Sequence, residues 1–191
     1  MGTIKTTNIE PIADNGTVTL GSSGDTFTVP SGVTMTVPSG ALSGQNYPSF
    51  FAKANGTQSI TTTTYTKVEF QSVLYNIDSC FDTTNYRFTP GVAGKYFISA
   101  HIGIRNMDDT EFMINNMYKN GLAFSNFYDN QRVRGITSSP TASRTLSVQL
   151  SFVDVANTTD YYEVFAYQND ASTNVLDNSY GSWFTAYRIG S

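Results

Sequence analysis

The sequence predicts an all-β chain: an antiparallel two-sheet sandwich of about ten strands, carrying an extended β-rich N-terminal arm. Three observations carry that expectation. Apolar residues recur at alternate positions in run after run, the period of a strand with one face buried. Beyond residue 46, Gly, Pro, Asn and Asp interrupt the chain at intervals of about 8–12 residues, the rhythm of turns between short antiparallel strands. Composition supplies the third: aromatic residues reach 14% and charged residues only 14%, against roughly 25% charged in an ordinary soluble domain. Such a chain is too aromatic for disorder and too weakly charged for long helices.

At 191 residues and 20.9 kDa the chain has the size of one large domain with a short appendage. It divides near residue 45 into an arm, residues 1–45, and a sandwich domain, residues 46–191. Three similar units fill the arm: Thr17-Val18-Thr19-Leu20, Thr26-Phe27-Thr28-Val29 and Thr34-Met35-Thr36-Val37. They end at Gly21, at Pro30-Ser31-Gly32 and at Pro38-Ser39-Gly40. Each reads as a four-residue strand closed by a turn, and each exposes an apolar stripe that one copy cannot cover. Three chains wound together would cover it, so the arm is expected to be a fibrous stalk or docking segment. The joint falls in residues 40–46.

Within the domain the clearest strand is 95–104, where Tyr96, Ile98, Ala100, Ile102 and Ile104 share one face. Strands at 112–118 and 122–127 flank Lys119-Asn120-Gly121, whose Asn-Gly pair favours a tight hairpin. Residues 145–153 alternate through Leu146, Val148, Leu150 and Phe152, and two further strands are expected at 161–167 and 183–189.

Several functions are disfavoured by simple counts. A net charge of −4 and a pI near 4.8 argue against nucleic acid as a partner. No apolar stretch is long enough to insert in a membrane, and residues 1–10 carry no apolar run of an export signal. Cys80 and His101 are the only residues of their kinds, too few for an intrachain disulfide or a zinc site within one chain. The one dense acidic group is Asp108-Asp109 with Glu111. On a strand-edge turn it is expected to face water, with a Ca²⁺ held by carbonyl help as the minor alternative. Neither catalysis nor a cofactor is expected.

One series of spacings is sharper. Phe70, Asn76, Phe81, Phe88, Gly94 and Tyr96, with Phe88-Thr89-Pro90 running on to Ala93-Gly94-Lys95-Tyr96-Phe97, resembles the signature of the C1q-like branch of the C1q/TNF jelly rolls. Two later signature positions hold Ile98 and Ala100 where aromatics are usual. Phe184 and Ile189 fit the family's last strand, and Ala186 stands where it often has Gly. The resemblance runs from about residue 47 to residue 191 and implies a jelly-roll sandwich. It also implies assembly as a trimer with an elongated segment entering at its base.

The aromatic load supports a trimer independently, because Tyr suits an interface with a wet edge. In its own terms, Gly94 before a strand suggests a positive φ or a close backbone approach, and Asn76 suits bonds to backbone groups in a corner. The opening phrase Gly2-Thr3-Ile4-Lys5-Thr6-Thr7-Asn8-Ile9-Glu10 resembles the starts of virion appendage proteins of tailed phages. This resemblance implies a fibre or knob displayed on the virion for host attachment, or else a capsid decoration protein anchored by residues 1–45. The partners it implies are other virion proteins and a host surface glycan or protein. Two polar segments are the candidate contact loops: 126–144, with Tyr128, Arg132 and Arg134, and 169–181, with Asp170, Asp177 and Tyr180.

Overall fold

The computed structural model describes residues 19, 22–34, 48–108, 110–124, 132–134, 144–172, 174–176 and 181–190. The chain forms two compact units, Met1–Gly44 and Gln45–Ser191.

In the first unit the turns form and the expected strand between them does not pair. Asp25 N–H donates to Ser22 O at 3.0 Å and Val33 N–H to Pro30 O at 3.2 Å. Gly24 and Gly32 supply the positive φ of these turns, +94° and +83°. Thr26-Phe27-Thr28-Val29 lies between them without a ladder partner, and the Phe27 side chain is 66% exposed. The first and third units lie, apart from Thr19 and Thr34, outside the described residues.

The second unit is an antiparallel sandwich. One sheet holds β1 (Ser49–Lys53), β2 (Ser59–Ile60), β4 (Ser72–Ile77), β7 (Gly94–Met107), β11 (Arg144–Ala156), β13 (Asn174–Leu176) and β14 (Trp183–Gly190). The other holds β3 (Thr66–Lys67), β5 (Phe81–Asp82), β6 (Arg87–Phe88), β8 (Phe112–Lys119), β9 (Leu122–Ala123), β10 (Arg132–Arg134) and β12 (Tyr162–Gln168). The described residues thus form fourteen strands where about ten were expected, because several are two-residue pieces too short to show a period.

Strand β7 is the spine of the first sheet. It pairs along one edge with β11 and along the other with β14 and, at its far end, β13. Its inward set, Tyr96, Ile98, Ala100, Ile102 and Ile104, is fully buried, as the alternation requires. In the second sheet β12 pairs with β8, and β6 and β3 share its other edge. The hairpin from β8 to β9 turns on Asn120 and Gly121, at φ +56° and +77°. Two successive positive φ values are what a type I′ turn needs, and Asn-Gly is the pair that tolerates them best.

Candidate functional site

The signature residues converge on one aromatic core. Phe50 stacks on Phe81 at 4.6 Å and on Phe88 at 5.3 Å between ring centroids, and meets Phe184 edge-on at 4.9 Å. Phe70 reaches Phe184 at 5.7 Å, and Phe88 meets Tyr96 at 5.5 Å. Each is almost fully buried, and the Tyr96 hydroxyl donates to Val92 O at 2.7 Å. Gly94 has φ +155°, and a Cβ there would lie 2.5 Å from both Gly190 O and Arg188 Nε. These residues are joined to one another in the core and build the fold. Phe50, the hub, belongs to no spacing read from the sequence.

A polar corner closes this end of the core. Lys119 Nζ lies 2.8 Å from Asp154 Oδ2 and 3.1 Å from Asp160 Oδ2, and the Tyr162 hydroxyl donates to Asp154 at 2.6 Å. Burial alone would raise the Asp160 carboxyl. Bonds from the Asn120 amide, the Asn157 backbone and Lys119 outweigh it and hold the group below its ordinary value. Burial likewise opposes the charge on Lys119, yet its two carboxylate partners raise it above the usual lysine range.

The open feature is the outer face of the first sheet. Alternation that buries Tyr96, Ile98 and Ala100 turns Phe97, Ser99 and His101 outward, and register sets them beside Tyr187, Thr185 and Trp183 of β14. On the other side they meet Val153, Ser151 and Gln149 of β11. Phe97 packs on Tyr187 at 5.3 Å, and His101 and Phe51 stack on Trp183 at 6.1 and 5.7 Å. At the centre, Ser99 Oγ lies 2.7 Å from Ser151 Oγ, and the Gln149 amide donates to both. His101 Nδ1 is buried and accepts or donates no hydrogen bond. Val153, Val155 and Tyr187 are 55%, 64% and 44% exposed, a continuous apolar rim that one chain leaves in water.

The candidate contact residues are not brought together. Asp170 is buried, a correction to its expected place on a contact loop: its carboxylate accepts from Asp108 N–H at 2.8 Å and Ser172 N–H at 2.9 Å. Two backbone donors at a strand end need an acceptor, and Asp170 provides it. Those bonds, with one from Asn174, overcome the effect of burial and hold its carboxyl below the ordinary value. Residues 132–134, read as part of a loop, form strand β10 on the edge of the second sheet, with Arg132 opposite Ile114 and Arg134 opposite Phe112. Arg134 is exposed. Tyr128, Asp177 and Tyr180 lie outside the described residues. Among the described residues no three His, Cys, Asp or Glu side chains gather to hold a metal ion, and Asp109 lies outside them.

No curated protein matches the chain. Among solved structures, murine APRIL is 12% identical with a TM-score of 0.52, over 75% of this chain and 99% of that one. The Eiger TNF of S. frugiperda is 8% identical with a TM-score of 0.50, over 77% and 95%. The globular domain of zebrafish complement 1qA is 17% identical with a TM-score of 0.49, over 75% and 97%. At these identities the likeness to APRIL and to the Eiger TNF is one of fold. The C1q domain family matches residues 49–174, a span holding Phe70, Asn76, Phe81, Phe88, Gly94 and Tyr96, and the chain therefore belongs to the C1q domain family.

Proposed function

We propose that the protein is a non-enzymatic homotrimer whose protomers pack through the outer face of the first sheet, and that it serves as a virion appendage of a tailed phage. In this reading residues 1–45 dock onto other virion proteins and residues 46–191 are a knob displayed for attachment to a host surface. The observation that carries the trimer is the open face itself. Tyr187, Val153 and Val155 stand in water beside a group of mutually hydrogen-bonded polar side chains, and exposed apolar surface of this kind supports an interaction face. The virion assignment draws on the resemblance of the N-terminal phrase to phage appendages and on Phe27, exposed between two glycine turns.

Mass in solution tests the trimer. Light scattering is expected to give three times 20.9 kDa. The double variant Val153→Lys, Tyr187→Glu is expected to run as a single subunit with its far-ultraviolet dichroism unchanged. A folded wild-type monomer at micromolar concentration overturns the reading. Antibody labelling of phage particles tests the address: tail labelling supports the fibre, head labelling replaces it with a decoration role, and unlabelled particles reject both.

A further inference from the structure

The second sheet carries on its outer face a row of aromatic rings that the core does not use. Phe112 stacks on Tyr167 at 5.9 Å, Tyr167 meets Tyr65 at 4.9 Å, Tyr65 meets Tyr118 at 6.3 Å, and Tyr118 lies across Phe165 at 4.0 Å. All five are half-buried, so each has one side packed and one toward solvent. Asn116 sits among them. Its neighbours in the strand, Asn115 and Met117, point into the sandwich, the first bonding Ala100 O at 2.9 Å and the second fully buried. Alternation therefore sends Asn116 to the outer face, between Ile114 and Tyr118 and opposite Phe165.

Asn116 is 1% exposed, yet neither its Oδ1 nor its Nδ2 has a hydrogen-bond partner. Leaving a buried amide unsatisfied is costly for each group, and an apolar residue of similar size would avoid that cost. A buried donor and acceptor lying side by side call for a ligand group that both accepts and donates.

We infer that this face is a carbohydrate-binding platform, on which a neutral pyranose stacks against the Tyr65, Tyr118 and Tyr167 rings and exchanges hydrogen bonds with the Asn116 amide through neighbouring hydroxyls. Flat rings suit the apolar face of a sugar. An uncharged amide suits hydroxyls better than it suits a carboxylate or phosphate, each of which only accepts. The nearby Lys67 is already paired with Glu163 at 2.5 Å, which leaves it poorly placed to hold an anion. Rotation of one flanking ring admits the ligand to the amide, a side-chain motion of low barrier at a surface. Arg134, opposite Phe112 on this face, borders the platform. The inference deepens the host-attachment part of the proposed function by giving it a site, and it needs only one protomer.

The test is an array of neutral oligosaccharides built from hexoses and N-acetylhexosamines, probed with the full chain. The wild type is expected to bind a subset. Tyr65→Ala is expected to weaken that binding about tenfold, the scale of one lost ring contact. Asn116→Leu is expected to abolish it while leaving the melting temperature unchanged or higher, since an unsatisfied amide is removed from a buried position. A merely structural Asn116 would behave otherwise, losing stability and binding together. Binding that survives both variants overturns the platform and leaves host attachment standing through another surface. A wild type that binds peptides and no sugar, or neither, overturns the inference. Because the trimer-face double variant leaves the second sheet intact, sugar binding by its monomer separates this site from the assembly reading.

Discussion

The Asn76 side chain holds the backbone of Phe81 at both ends. Its Nδ2 donates to Phe81 O at 2.9 Å and its Oδ1 accepts from Phe81 N–H at 2.9 Å. The chain between them turns through Asp78 and Ser79, both at positive φ, +58° and +50°. Two non-glycine residues in that region cost strain of about 1–3 kcal/mol each, and the paired amide bonds offset it. The clamp fixes Phe81 against Phe50, so a surface turn and the aromatic core are coupled. Asn76→Leu is expected to lower stability by about 2 kcal/mol, the net worth of two such bonds. Asn76→Asp, which keeps the acceptor alone, should lose about half as much. Denaturant midpoints measure both, and equal losses in the two variants would show that the donated bond carries everything.

Gly94 has no room for a side chain. A methyl group would press on Gly190 O at 2.5 Å while the backbone stays at φ +155°. The Arg188 guanidinium, the other near contact, can move; the Gly190 carbonyl belongs to the β7–β14 pairing and cannot move without breaking it. Gly94→Ala is therefore expected to cost about 2 kcal/mol or more. The disturbance should appear as faster amide exchange at Lys95 and Gly190, and full protection there would show that the strand end absorbs the methyl group.

Legibility in the sequence followed the length of each strand and the number of its buried faces. Strand β7 was plain because five alternating residues all point inward, and the Asn-Gly hairpin was plain because few other pairs accept two positive φ values. Phe50 was not. It adjoins Phe51, and two consecutive rings carry no alternation. Only the pairing of Phe50 with Ala186 and of Ala52 with Phe184 decides which ring enters the core. Strands β2, β3, β5 and β6 have two residues each, below any period. Asp170 read as a loop residue because acidic residues are mostly exposed. Its role depends on Asp108, 62 positions away in the chain. Asn116 could not be told from Asn115 without knowing which way each points.

Stability should depend on pH at both extremes. Asp160 and Asp170 sit below their ordinary values in the folded state. Each therefore contributes stability that is present above the unfolded carboxyl value of about 3.9. That contribution is lost as pH falls through the lower folded value. Lys119 lies above its ordinary value, so its contribution is present below about pH 10.4 and is lost as pH rises through the folded value. The melting temperature should hold a plateau between about pH 4 and pH 10, as far as these groups determine it. Asp160→Asn should lower it by an amount worth about 1 kcal/mol at neutral pH, with the gap closing as pH falls through the lowered folded value. A gap that persists unchanged into acid would mean the carboxylate charge contributes nothing.

Cys80 is 3% exposed and precedes Phe81 in the aromatic core. Burial pushes its thiol up to about 12, and the nearby Asp78 charge adds to the effect. Only the thiolate attacks a disulfide reagent, so at pH 8 the folded protein holds roughly a thousandth of the reactive form of a free cysteine near 8.5. Steric cover slows it further. Labelling by an aromatic disulfide is expected within seconds in guanidinium and at least about a thousandfold more slowly in the native state. The native rate should then rise in Asn76→Leu, because loosening Phe81 uncovers its neighbour. Fast labelling of the native wild type would show that the Phe81 turn opens readily, and with it the coupling between that turn and the core would fail.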